Sequence, residues 1–389
     1  MTTITTPSPA DLDHTPGTRL VFGDGAIEHL GQLCVEQNAK RVMIISDPGV
    51  TKAGHTERGL SIIKAAGLDA TTFASVHENP STTDVDAAVQ AANDFKPDLL
   101  VGLGGGSAID TAKGCNFIHT NGGVMADYHH CEKPVEKMLP LIAVPTTHGT
   151  GSEAQSYALI ADEDTHMKMA CGDPKALPII ALLDPSLTLT QPASVAACTS
   201  IDAITHAVES YVCTRRNDVS IRYAAESFAL TVNALPKVLD DPSNTKARGD
   251  MLLGAAYAGI AIENSMLGAA HSCANPLTAA FGIIHGQAVG VMLPHVIRFN
   301  AQDKSVKQMY DTLAKHAKLP NVDVLIERVT ELLAMAGLET TLGPLVSPDA
   351  IPQLAEQAAT QWTANFNPRP LDVDGFIGLY TQAFRMGQA

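Results

Sequence analysis

The sequence predicts an α/β domain built on a parallel sheet, followed by an all-α domain, and three observations lead to that expectation. Up to about residue 190, short runs rich in β-branched residues alternate with amphipathic stretches of helical period. Two of those runs end in turns crowded with glycine and hydroxyl residues. Beyond Thr190 the β-branched runs stop, and Ala-rich stretches with helical spacing continue to the C-terminus. Strands that alternate with helices pair in parallel, because a parallel pair needs a crossover of a dozen or more residues.

The chain opens with MTTITTPSPADLDHTPG, which has neither a basic start nor an apolar centre and reads as a flexible lead-in rather than a signal peptide. RVMIIS (41–46), ATTFAS (70–75), DLLVGL (98–103), LPLIAV (139–144) and PIIALL (178–183) read as strands. Asp84 to Phe95 and Ser107 to Ile118 read as two of the helices between them. Pro192 suits a first helical position, where its missing N–H has no partner to lose. The boundary therefore falls within 185–191, giving domains of 1–188 and 189–389. The longest apolar stretch, Met251 to Pro294, is interrupted by Glu263, Asn264, His271, Asn275 and His285, so it reads as buried helical core and not as a membrane span.

Composition limits the function classes. With 389 residues, 45% of them hydrophobic, the chain can bury a sizeable core. Its net charge of −15, unrelieved by any Lys/Arg-rich run, argues against nucleic acid and anionic membrane as partners. The seven cysteines are scattered and never spaced as CxxC, which suits a reducing, cytoplasmic compartment.

The first glycine-rich turn follows DLLVGL: Gly104, Gly105, Gly106 and Ser107, then a helix carrying Asp110 and Lys113. Side-chain-free residues let backbone N–H groups approach a pyrophosphate, and the helix N-terminus adds partial positive charge. The loop departs from GxGxxG and has no Walker lysine, so a tight strand-to-helix turn is the alternative reading. The second turn, PTTHGTGSE (145–153), follows LPLIAV and can hydrogen-bond a ribose, a phosphate or a nicotinamide amide; a plain Thr/Gly turn is its alternative. Both turns fall where α/β sheets bind ligands, at the C-terminal ends of parallel strands. Asp47 ends RVMIIS and could reach a ribose there, or could simply be a turn carboxylate before Pro48.

Asp202 and His206 are four residues apart in a helical stretch and share a face. His271 lies in a second helical stretch, and His285 follows at a His-Gly turn. Singly, each histidine reads as a core or surface residue. As a set, one carboxylate and three imidazoles suit a divalent ion such as Fe²⁺ or Zn²⁺. The His129-His130 pair beside Cys131 reads as a solvated loop, and GTGSE lacks the GxSxG frame of a nucleophile elbow.

GGGSAIDTAK (104–113), PTTHGTGSE (145–153), DAITHAVESYV (202–212) and HSCANPLTAAFGIIHGQAVGVMLPHV (271–296) together resemble the iron-containing alcohol dehydrogenase family, in order and over most of the chain. The resemblance implies a dinucleotide-binding α/β domain, a helical metal-binding domain, and a metal in the cleft between them. Carried over residue by residue, it makes Asp202, His206, His271 and His285 the metal ligands. Gly104, Gly105, Gly106 and Ser107 would cradle the pyrophosphate, and Asp110 on the helix they open is counted among the cofactor-binding residues. Thr146, Thr147 and Thr150 would border the nicotinamide, while Asn79 in ENPST and Lys168 in HMKMA match positions that approach the cofactor. Asp47 would face the adenosine ribose and favour NAD over NADP.

The implied activity is hydride transfer between NAD and a small primary alcohol or its aldehyde, with the metal as Lewis acid, in a homo-oligomeric enzyme. The chain departs from many relatives at Asn275, where they carry a second histidine four residues after the first ligand of that helix. Asparagine can orient a substrate hydroxyl but cannot titrate near neutrality. The competing readings are a hydroxyacid–oxoacid transhydrogenase, a dehydroquinate-synthase-like lyase, and a non-catalytic metal- or nucleotide-binding protein.

Overall fold

In a computed structural model of the chain, six short runs of residues form one parallel sheet: β1 (Arg19–Phe22), β2 (Arg41–Ile45), β3 (Asp69–Phe73), β4 (Leu99–Gly104), β5 (Leu141–Pro145) and β8 (Ile180–Leu183). The described residues are Thr5, 17–129, 135–164 and 167–385. Strand order is β1-β8-β5-β4-β2-β3, and every pair is parallel. β4 and β5 are buried at every position, as central strands covered on both faces must be. A separate antiparallel hairpin pairs β6 (Tyr157–Ala161) with β7 (Lys168–Gly172).

The five expected strands are present, displaced by one or two residues at their ends. β1 and the hairpin were not expected. β1 is a four-residue edge strand whose register is set by β8, a long-range pairing that local pattern does not announce. The lead-in lies outside the described residues except for Thr5 and Gly17, and Thr5 exchanges backbone hydrogen bonds with Phe22. His130 and Cys131 also lie outside the described residues.

Helices α1 (Leu30–Glu36), α2 (Pro48–Lys52), α3 (His55–Ala65), α4 (Thr82–Phe95) and α5 (Gly106–Asn121) connect the strands. α4 starts after Ser81, whose backbone N–H donates to Asp84 Oδ2 at 2.9 Å. The strand order reverses between β2 and β4: β2 leads outward to β3, and the chain then returns to place β4 on the other side of β2. In doubly wound sheets this switch point opens the crevice where dinucleotides bind.

The chain divides into two compact units between Gln191 and Pro192. The second is helical: α6 (Ala193–Val212), α7 (Asp218–Asp240), α8 (Thr245–Glu263), α9 (Ala269–Phe281), α10 (His285–Asn300), α11 (Lys304–His316), α12 (Val322–Met335), α13 (Ile351–Thr360) and α14 (Val373–Arg385). Pro192 stands at the N-cap of α6, one position before the helical residue expected of it. α6 is buried on all sides from Ser200 to Val212, so it forms the interior of this unit. The apolar stretch from Met251 to Pro294 is mostly buried in α8, α9 and α10. Among the described residues, no helix is long and apolar enough to cross a membrane. The six described cysteines are all free and buried.

Candidate metal centre and dinucleotide loops

Three helices of the second unit converge on one carboxylate oxygen. α6 presents Asp202 and His206 one turn apart, α9 supplies His271 from its first turn, and α10 begins at His285. Asp202 Oδ1 lies 3.3 Å from His206 Nε2, 3.4 Å from His271 Nε2 and 3.8 Å from His285 Nε2. The His206 and His271 rings stack with centroids 4.9 Å apart, and the His285 ring tilts against His271 at 5.3 Å. Ligand atoms of Asp202, His271 and His285 lie within 4.8 Å of one another. All four residues singled out by sequence are therefore neighbours.

The donor set fits a cation. Asp202 Oδ1 and His271 Nε2 are buried, face each other without hydrogen-bond geometry, and find no hydrogen-bond partner among the described residues. Orphaned polar atoms of this kind are costly and call for an unplaced partner. Burial alone would raise the Asp202 carboxyl, yet the imidazoles of His206, His285 and His271 hold it well below the usual carboxylate range. His271 shows the converse: burial pulls it down, but Asp202 and Glu209 push it up to about 9. The pocket thus draws positive charge inward, the demand a divalent ion would meet.

Glu209, missed by the sequence reading, completes this side of the site. It is seven residues beyond Asp202 and three beyond His206, on the same face of α6, and that spacing was the available signal. Its Oε2 accepts the His271 Nδ1–H at 2.5 Å, and its Oε1 accepts the Ala270 N–H at 2.6 Å. The start of α10 is set by Gly286, whose Cα approaches the backbone of Cys198, one turn before Asp202. Asn275, one turn past His271 and half-buried, donates from Nδ2 to Gln361 Oε1 at 2.9 Å.

In the first unit, the two glycine and hydroxyl turns pack against each other. A Cβ on Gly105 would stand 3.4 Å from Thr147 Cγ2, and one on Gly106 would stand 2.8 Å from Thr150 Cγ2 and 2.9 Å from its Oγ1. Thr146 N–H donates to the Gly104 carbonyl at 2.9 Å. Larger residues would push these loops apart. α5 begins at Gly106 with Gly105 as N-cap and no side-chain cap, so the first N–H groups of the helix, including that of Ser107, have no intrahelical acceptor. Such a terminus suits an anion.

Asp47 stands at the switch point between β2 and β4. Its Oδ1 caps α2 by accepting the Val50 N–H at 2.9 Å, and its Oδ2 lies 3.0 Å from the place a Cβ on Gly104 would occupy. Its role as a turn carboxylate and its position beside the glycine loop coexist. Asn79 is exposed in the left-handed region, with φ 54°. Lys168, exposed on β7, pairs with Ala161, whose N–H donates to the Pro80 carbonyl at 2.8 Å. The hairpin thus brings Lys168 and Asn79 into one neighbourhood.

Asp110 is placed differently from the expectation of a cofactor contact. Its Oδ1 accepts the Ser152 hydroxyl, and its Oδ2 accepts the Leu159 N–H at 3.1 Å. Lys113, fully buried, donates to Ser152 O at 2.7 Å, Ser152 Oγ at 2.8 Å and Tyr157 O at 2.8 Å. Both side chains are consumed in pinning the threonine turn and the hairpin onto α5. Asp110, counted among the cofactor-binding residues, instead points inward to Ser152, the Leu159 N–H and Lys113.

Comparison with known proteins gives a consistent result. The family model "Iron-containing alcohol dehydrogenase" matches residues 17–185, and "Fe-containing alcohol dehydrogenase family, C-terminal" matches residues 196–384. Alcohol dehydrogenase 4 of Schizosaccharomyces pombe is 32% identical over 315 residues, covering 80% of this chain and 75% of that one. The NAD-dependent methanol dehydrogenase of Bacillus methanolicus is 30% identical over 372 residues, covering 93% and 97%. The crystal structure of a 1,3-propanediol oxidoreductase superposes with a TM-score of 0.90 at 30% identity, covering 95% of this chain and 98% of that one.

Proposed function

Because the chain belongs to the iron-containing alcohol dehydrogenase family, we propose that it is an NAD-dependent, divalent-metal-dependent dehydrogenase interconverting a small primary alcohol and its aldehyde. The observation that carries this reading is the approach of three imidazole Nε2 atoms to the one buried Oδ1 of Asp202. Asp202, His206, His271 and His285 would hold the ion, and three nitrogens with one oxygen suit Fe²⁺ or Zn²⁺. The bound ion would supply Lewis-acid polarisation of the substrate oxygen, and the nicotinamide would supply hydride transfer.

The chain's own residues do the binding and orienting. In this reading the unit ending at Gln191 binds the dinucleotide, and the unit from Pro192 holds the metal. Gly105, Gly106 and Ser107 offer backbone N–H groups to the pyrophosphate, and Thr146, Thr147 and Thr150 lie on the turn packed against them. Asp47 accepts hydrogen bonds from the adenosine ribose and disfavours a 2′-phosphate. Asn275, fixed by Gln361, orients a substrate hydroxyl without exchanging its proton.

The test is a panel of small aldehydes with NADH, run on protein of known metal content. Oxidation of NADH that stops on chelation and returns with Fe²⁺ or Zn²⁺ supports the reading. Hydride passing only between a hydroxy acid and an oxo acid, with free NADH unconsumed, would replace it with a transhydrogenase.

A further inference from the structure

We propose that Glu209 is a positioning residue of the metal centre: it fixes the tautomer of His271 and anchors the helix end that carries that ring. The inference rests on the metal reading above. A carboxylate oxygen can only accept, so the 2.5 Å contact from Glu209 Oε2 places the proton of a neutral His271 on Nδ1 and leaves the Nε2 lone pair directed toward Asp202. Without that acceptor the imidazole could carry its proton on Nε2 and would present no ligand atom.

The same carboxylate grips the N-terminus of α9. Glu209 Oε1 accepts the Ala270 N–H at 2.6 Å, while Asn367 Oδ1 accepts the Ala269 N–H at 3.4 Å. α9 has no side-chain cap from its own N-cap, Gly268, so these two residues from elsewhere in the unit serve that function. Gly268 leaves them room: a Cβ there would stand 3.1 Å from Glu209 Oε1 and 3.2 Å from Asn367 Oδ1. Asn367 is in turn held by Asn300, which donates to it at 3.0 Å and accepts from it at 2.7 Å. Glu209 is 3% exposed, and its charge sits where a helix N-terminus and an imidazole both favour it. With Asp202 it gives the pocket two buried carboxylates, the charge a divalent ion would neutralise.

Glu209→Gln separates the two roles. Glutamine can still accept the Ala270 N–H, but it turns an NH₂ toward His271 and favours the proton on Nε2. The experiment titrates Zn²⁺ into metal-free unmodified protein, Glu209→Gln and His271→Ala against a chromogenic chelator, and reads the His271 tautomer of the metal-free proteins by ¹⁵N NMR at alkaline pH, where the raised imidazole is neutral. The expected result is a Glu209→Gln protein that folds as the unmodified one does, binds Zn²⁺ about 10–100-fold more weakly, and shows a changed tautomer. A merely structural role would leave affinity within about twofold and the tautomer unchanged, and either result overturns the inference. If the unmodified protein binds and His271→Ala does not, that failure is confined to Glu209. If the unmodified protein itself takes up neither Zn²⁺ nor Fe²⁺, the metal reading falls, and this inference with it.

Discussion

Gly286 approaches Cys198 so closely that a Cβ on it would stand 2.0 Å from the Cys198 carbonyl oxygen and 2.8 Å from its Cα. The obstacle is backbone of α6, which no rotamer change can move aside. Gly286→Ala must therefore displace the start of α10 and carry His285 away from Asp202. We expect a loss of about 2–3 kcal/mol of stability together with weaker metal retention, read by urea denaturation and metal analysis. An alanine variant of unchanged stability and full metal content would contradict this packing.

His271→Ala should lose metal and turnover together. The substitution removes one imidazole from the four-residue set and leaves Glu209 Oε2 and Asp202 Oδ1 without that ring. As a control, His316→Ala, which removes only a part-exposed ion pair with Glu226, should retain both. Full metal content and a normal rate in His271→Ala would remove His271 from the ligand set.

The cofactor preference should reside in Asp47. Because Asp47 also caps α2, the informative substitution is Asp47→Asn, which keeps an N-cap oxygen and removes the charge. The unmodified protein should show a higher kcat/KM with NADH than with NADPH, and the variant should narrow that ratio by about tenfold, or 1.4 kcal/mol. Equal or better use of NADPH by the unmodified enzyme would refute the role given to Asp47.

Glu153 gives the first unit a pH dependence. Burial pushes its carboxyl up to about 7, an effect that Asp110 reinforces and Lys113 and a backbone N–H oppose. Between its ordinary value near 4.5 and about 7, the folded chain holds a proton that the unfolded chain has released. Stability from this group is therefore fully present below the lower value and falls as pH rises through that window, by about 3 kcal/mol in all. Glu153→Gln should flatten stability between about pH 5 and pH 8, measured by denaturant midpoints, and a Glu153→Gln profile parallel to the unmodified one would reject this cause.

The sheet and the Asp202–His206 pair were legible because their signals are local, whereas joining His271 and His285 to that pair rested on the family resemblance. RVMIIS and LPLIAV carry enough β-branched apolar residues to mark central strands, and the four-residue spacing of Asp202 and His206 fixes a shared helix face. What escaped depends on partners remote in sequence. β1 becomes a strand only beside β8, some 160 residues on, and Asp110 turns inward only because Ser152 and Leu159 come to meet it. Glu209 was visible in principle from its position on the Asp202 face. Its meaning needed His271, 62 residues away, to be placed against it.

The enclosure of Lys113 has a consequence for its chemical reactivity. Acylating and alkylating reagents attack a free amine from solvent, whereas this ammonium has no exposed surface and gives hydrogen bonds to three oxygens. It should remain unlabelled while exposed lysines such as Lys246 react, and should take up label only when α5 parts from the turn at Ser152. Its labelling rate, followed by mass spectrometry in native buffer, would time that local opening without an engineered probe.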